Sequence, residues 1–287
     1  MTIARLILSA LAIACALPSF AVADPEIGPA RGTLVIVGGG GGGKDGLIFK
    51  RFVELAGGPQ ADIVVIPTAM EGEDYDTRSS GARIFRDAGA TKITVMHTRD
   101  RTLADTEAFI RPLRTATGVW FGGGRQWRLA DSYLNTRAQA AVLELLNRGG
   151  VVGGSSAGAT IQGSYLVRGA VEGNEVMMSP GHEEGFALLK NVAIDQHVIR
   201  RKRIGDLVPV IEAHPELLGI GIDERTAIVV RQDQFEVIGD SDVVITDPNR
   251  KVNEGEDPWY LLKPGDRFDL KTRSRIATPA ETPSSGN

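Results

Sequence analysis

The chain has 287 residues, 42% hydrophobic and 24% charged, an ordinary globular composition with enough chain for one large domain or two small ones. A net charge of -4 argues against non-specific nucleic-acid binding. The single cysteine, Cys15, lies in the N-terminal segment read below as a leader. Removal of that leader would leave no thiol, which excludes disulfides, a thiol nucleophile and cysteine metal sites.

Residues 1–23 read as a cleavable signal peptide. Arg5 supplies the positive start, Leu6 to Leu17 an apolar core too short to span a bilayer, and Ala21-Val22-Ala23 an A-x-A cleavage site. The expected location is periplasmic or extracellular, with no stable membrane insertion and residues 24–275 forming one α/β domain. From Ile276 onward the chain is Thr/Pro/Ser-rich and predicted to be disordered.

Thr33 to Val37 is a β-branched run, a predicted buried strand. Six glycines follow, Gly38 to Gly43, then Lys44. This nearly spells a phosphate loop, but the next residue is Asp45 where Ser or Thr should hold magnesium, so a βα loop at a site rim is the better reading. A helix over Leu47 to Ala56 precedes a strand over Asp62 to Pro67. A helix near Ser80 to Ala88 precedes a strand over Lys92 to Met96, and one near Asp105 to Thr115 precedes a strand over Gly118 to Phe121. After Gly122-Gly123-Gly124-Arg125-Gln126 a helix runs to about Arg148, and a strand begins at Val151. Alternation with short connections predicts a doubly wound, mostly parallel α/β sheet, with ligands beyond the carboxyl ends of the strands. Later come strands over Asn191 to Ile194 and Gly219 to Ile222, with a basic helix from Val198 to about His214 between them. Hairpin-like strands follow over Ala227 to Arg231, Gln234 to Ile238, Val243 to Thr246 and Trp259 to Leu262.

Gly154-Ser155-Ser156-Ala157-Gly158 forms a G-x-S-x-G elbow between a strand and a helix. A nucleophile on so sharp a turn needs small neighbours, and Ala157 N–H at the helix start is free to bind an oxyanion. The competing reading is a Gly/Ser loop with Ser155 or Ser156 as an N-cap. A serine nucleophile needs a base and an orienting acid. Of the four histidines, His97, His182 and His214 read as loop, turn and helix-end residues, whereas His197 follows a strand end. Asp223-Glu224 follows another strand end, and either carboxylate suits the imidazole. The chain order Ser, His, acid disfavours the α/β-hydrolases.

Gly154 to Ala159, Asp195-Gln196-His197, Gly221 to Ala227 and Phe121-Gly122-Gly123-Gly124-Arg125-Gln126 together resemble the cyanophycinase family of serine peptidases, relatives of α-aspartyl dipeptidase (peptidase E). The resemblance covers most of residues 32–250. It implies a class I glutamine amidotransferase-like α/β sheet with C-terminal β-hairpins, Ser156 as nucleophile, His197 as base and Glu224 as acid, with Asp223 in reserve. It implies oxyanion amides at Ala157 and at Gly123 or Gly124. Gln126, Asp195, Gln196, Arg201 and Arg203 match positions that line the substrate pocket. The implied reaction is hydrolysis of aspartyl bonds in an arginine-bearing polyaspartate to β-Asp-Arg dipeptides, with no metal or organic cofactor. The implied partner is a peptide or polyaspartate-type substrate and no nucleic acid; a homodimer is left open. The chain departs from the family pattern at Arg125, at Val198 and at Asp206, where a third arginine is expected; Asp206 is read as a partner of Arg203. A non-catalytic peptide-binding protein of the same fold, an α-aspartyl dipeptidase-like enzyme on another Asp-containing peptide, and a nucleotide-binding protein using Gly38 to Lys44 are the alternatives.

Overall fold

The computed structural model describes residues 25–277. The leader, Cys15 and nearly all of the expected tail lie outside the described residues.

The first five strands are β1 (Thr33–Val37), β2 (Asp62–Ile66), β3 (Lys92–Val95), β4 (Gly118–Phe121) and β5 (Val151–Ser155). They pair in parallel in the order β3-β2-β4-β5-β1. β1, β2 and β4 are buried at every position, as strands covered on both faces must be. Helices α1 (Leu47–Leu55) and α2 (Arg83–Asp87) cover one face, where Phe52 and Phe85 close around Trp120. The other face receives α3 (Arg101–Ala104), α4 (Glu107–Thr115), α5 (Gln126–Tyr133) and α6 (Arg137–Asn147). The single helix expected up to Arg148 is thus two, separated at Asn135, whose φ of 57° ends a helical run and which tolerates that conformation better than most residues.

Beyond the one-turn helix α7 (Ala157–Thr160) the chain starts a second sheet. β6 (Gly163–Tyr165), β7 (Leu189–Gln196) and β8 (Leu218–Ile222) run parallel, with α8 (Val208–Ala213) between the last two. β9 (Thr226–Arg231) returns to the first sheet, antiparallel to β1, and β10 (Gln234–Gly239) forms a hairpin with it. β11 (Val243–Thr246) and β12 (Trp259–Leu262) extend the second sheet, while β13 (Arg267–Asp269) and β14 (Ser274–Ile276) extend the first. Ile276 therefore belongs to a strand, one residue past the expected domain end. Val192, Ile194, Ile220 and Ile222 of the second sheet share one buried cluster with Leu34, Ile36, Val64 and Val152 of the first. The chain adopts the expected α/β architecture with C-terminal hairpins, in two mixed sheets of nine and five strands: β1 to β8 pair in parallel with one another, and β9 to β14 add antiparallel.

One expected element is corrected. The basic helix from Val198 to His214 is a string of turns as far as Leu207, with Lys202 at a left-handed φ of 57°, and only Val208–Ala213 is helical. The amides of Ile199 and Arg200 donate to the Asp223 carboxylate, at 3.1 and 2.8 Å, and Arg203 N bonds Val198 O, five residues back, at 2.6 Å.

Candidate active site

Ser156 closes β5 at a sharp corner. Its φ of 57° and ψ of −113° lie outside the ordinary regions for a residue with a side chain, and its amide is held by Val37 O at 3.0 Å. Small residues make the corner possible. A Cβ on Gly154 would lie 2.1 Å from Gly158 O, and one on Gly158 would lie 2.2 Å from Phe121 O. The Ser156 hydroxyl is 2.9 Å from His197 Nε2, and His197 Nδ1 is 2.8 Å from Glu224 Oε1. His197 immediately follows β7 and is 5% exposed. Burial holds its imidazole below the ordinary value of 6.5; the nearby guanidinium of Arg201 adds to this, Glu224 opposes it, and Arg203 lowers it further. The ring is therefore neutral over most of the physiological range, with one nitrogen free to accept a proton.

The glycine run beyond β1 lies against this chain of hydrogen bonds. Gly38 O accepts from His197 N at 3.1 Å, and Gly39 O accepts from Arg225 N at 2.7 Å. A Cβ on Gly39 would stand 2.1 Å from His197 Cε1, and one on Gly40 would stand 2.6 Å from Glu224 Cβ. Gly39 and Gly40 were not among the predicted site residues, although six glycines directly after a strand were the signal.

Gly123 lies beside Ser156: a Cβ there would be 3.3 Å from Ser156 Cβ. Gly124, with φ of 138°, packs its Cα against Ala69 O. Neither Gly123 N nor Ala157 N has an acceptor among the described residues, so both can point at an oxygen bound next to Ser156. Gln126 is fully buried; its amide nitrogen donates to Val167 O at 2.9 Å and its Oε1 is unpartnered, as is Oε1 of the buried Gln196. Arg125 Nη2 donates to Ala170 O at 2.6 Å.

Several expectations are corrected here. Asp195 does not face a substrate pocket; it is fully buried and clasped by Arg168, Nε to Oδ1 at 2.8 Å and Nη2 to Oδ2 at 2.9 Å. Asp206 pairs with Arg168 at 2.6 Å and not with Arg203. Arg203 instead meets Glu175 at 2.9 Å and keeps Nη1 buried and unpartnered, while Arg201 is exposed with no ion-pair partner among the described residues. Asp223 holds the chain after His197 and accepts from Ser241 Oγ at 2.8 Å, so Glu224 alone reaches the imidazole. His97 contacts Thr68, His182 Asp131, and His214 Glu216, all apart from Ser156. Among the described residues no three His, Cys, Asp or Glu side chains are grouped so as to hold a metal ion.

The model of peptidase family S51 matches residues 34–238. A protein named cyanophycinase from Geminocystis herdmanii is 31% identical over 273 residues, covering 86% of this chain and 97% of that protein. Another of that name, from Trichormus variabilis, is 32% identical over 244 residues, covering 79% of this chain and 81% of its own length. The crystal structure of a peptidase from an acI-B1 Actinobacterium superposes with a TM-score of 0.64 at 26% identity, covering 83% of this chain and 97% of the other. A putative peptidase E from Listeria monocytogenes, at 18% identity and a TM-score of 0.52, shares the fold. With the family match spanning both sheets from β1 to β10, the chain belongs to peptidase family S51, the family of cyanophycinase and peptidase E.

Proposed function

We propose that the chain is a serine peptidase acting on aspartyl peptide bonds, with Ser156, His197 and Glu224 as its triad. The observation that carries this reading is the unbroken hydrogen-bonded chain from Ser156 Oγ through both His197 nitrogens to Glu224, with the serine on a strained elbow. Neutral His197 takes the hydroxyl proton through Nε2 as Ser156 Oγ attacks the scissile carbonyl. The oxyanion accepts from Ala157 N and Gly123 N, to which no group among the described residues bonds. The imidazolium, steadied by Glu224, returns the proton to the leaving amine, and water then releases the acyl group by the reverse sequence.

The relatives named cyanophycinase support an arginine-bearing polyaspartate as substrate and β-Asp-Arg dipeptides as products. Exposed Arg201 and the unpartnered Nη1 of Arg203 suit a substrate carboxylate, which a guanidinium can bind through two parallel hydrogen bonds. The leader-like residues 1–23 support export of the enzyme, to be checked by N-terminal sequencing of protein recovered outside the cytoplasm.

A serine-directed phosphonate should label the parent and leave Ser156→Ala untouched. Mass spectrometry of soluble products from the polymer should show β-Asp-Arg dipeptides with the parent only. No labelling of the parent would favour a non-catalytic binding protein. Labelling without attack on the polymer, but with cleavage of short aspartyl peptides, would favour an α-aspartyl dipeptidase-like activity.

A further inference from the structure

Arg168 has no place in the reaction described above, yet it is fully buried and holds a left-handed φ of 58°. Its guanidinium makes four hydrogen bonds. Two form the fork with Asp195, a third reaches Asp206 Oδ2 at 2.6 Å, and Nη1 donates to Asn174 O at 2.6 Å. A buried guanidinium so completely matched by carboxylates is costly to disturb and defines geometry closely.

Each contact leads toward the site. Asp195 Oδ1 also accepts from Gln196 N at 2.9 Å, one residue before His197. Asp206 N donates to Arg203 O at 3.0 Å, and Arg203 N in turn donates to Val198 O at 2.6 Å. Asn174 precedes Glu175, the partner of Arg203 Nη2. The segment from His197 to Asp206 has no helical ladder of its own. It is pinned by Asp223 near its start and by Arg168 at its end.

We propose that Arg168 is a positioning residue for substrate binding: held between Asp195 and Asp206, it fixes the turn segment that presents Arg203 to the substrate's carboxylate. The same pairing occupies both oxygens of Asp195, so no substrate guanidinium binds there. The proposal rests on the peptidase reading for the identity of the substrate, but its test does not require turnover.

The test measures binding of a short aspartyl-arginyl peptide by calorimetry in a Ser156→Ala background, and labelling by a small phosphonate with Ser156 present. Asp206→Asn removes one charge at a half-buried position and takes the ionic part out of the Arg168–Asp206 pair, leaving the Arg168–Asp195 fork and the backbone bond from Asp206 N to Arg203 O in place. It should weaken peptide binding by about tenfold and leave the labelling rate within about twofold, the pattern of lost ground-state binding. Arg168→Lys keeps the charge but cannot fork two carboxylates, and should weaken binding at least as much. Replacing the peptide's arginine by neutral citrulline should change the parent's affinity by less than about threefold, because Asp195 is already taken up by Arg168. Unchanged affinity in both variants would overturn the proposal. So would labelling and thermal stability that fall in step with affinity, the mark of a merely structural arginine. Loss of more than about tenfold on the citrulline peptide would overturn the exclusion of a guanidinium from Asp195. If the parent is not labelled, the peptidase reading fails on its own, and the affinities still decide the role of Arg168.

Discussion

The two ends of the site are built by different means. At the reaction end, Ser156, His197 and Glu224 are set by backbone: strand ends, glycines without room for a Cβ, and amides bonded to Val37 O and Gly38 O. At the proposed recognition end, Arg201 and Arg203 ride on a run of turns set by side-chain charge, through Arg168, Asp206 and Asp223. The first kind of construction is written in short motifs of small residues. The second depends on pairs of charges far apart in the chain, and no local pattern announces it.

The largest effects should come from the reaction end. His197→Ala should cost on the order of 10⁴-fold in kcat, match Ser156→Ala, and add little to it in the double variant, because the two act as one unit. A double variant much slower than either single one would break the assignment of a shared proton transfer. Next in size is Gly39→Ala. Its methyl would meet His197 Cε1 at 2.1 Å on backbone with φ of 120°, so the ring must move. Displacement of a base by about 1 Å costs roughly 10²-fold in rate. A Gly39→Ala enzyme with normal kcat would show that the glycine loop is spectator structure.

At the recognition end the expected changes are smaller and fall on stability or affinity. The family pattern suggests that Asp206→Arg would restore a third substrate-binding arginine and raise activity on the polymer. The structure reverses that expectation: the new guanidinium would face Arg168, and half-exposed Asp206 would no longer balance it. Stability should fall by about 1–2 kcal/mol, less than for a fully buried pair, and be read as a lower unfolding midpoint without any gain in activity.

The smallest effect joins the two ends. As the proposed base His197 must be neutral, so kcat/KM should fall as pH drops through its pKa. That pKa lies below the ordinary 6.5, because of burial first and Arg201 second. Arg201→Gln removes a positive neighbour, makes the imidazolium easier to form, and should move the acid limb of the profile to higher pH. A limb that stays in place would show that Arg201 does not act on the imidazole across the gap.

Legibility followed the same division. β1, β2 and β4 were readable because each is an apolar run closed by glycine or proline, β3 because its β-branched residues follow a helix, and Gly154 to Gly158 spelled the corner at Ser156. The strand ends placed His197 and Glu224 on the active edge. The splitting into two sheets was not readable, because β7 and β8 carry the same apolar signature as β1 and β2 and nothing in periodicity names a partner strand. β6, β13 and β14, at three residues each, are too short to show an alternation. The basic run Arg200-Arg201-Lys202-Arg203 looked helical because lysine and arginine favour helices; the ladder fails at Lys202, whose φ is 57°, and at Arg203, whose amide bonds Val198 O five residues back. Arg168 gave no signal, since its partners at Asp195 and Asp206 lie 27 and 38 residues onward.

The seam between the two sheets also bears on how the protein comes into being. The bond from Ser156 to His197 spans 41 residues and that from His197 to Glu224 spans 27, while the Gly38 carbonyl that steadies His197 comes from the residue directly after β1. Contacts of such sequence separation form late, after loop closure has been achieved by the rest of the fold. A chain still emerging from the ribosome, with residues beyond 196 not yet available, has neither His197 nor Glu224 to bring to Ser156. The proposed triad is therefore complete only once strands of both sheets have come together. In a refolding experiment, recovery of phosphonate labelling should lag behind recovery of the helical signal from α1, α4 and α6, and so report completion of the whole molecule.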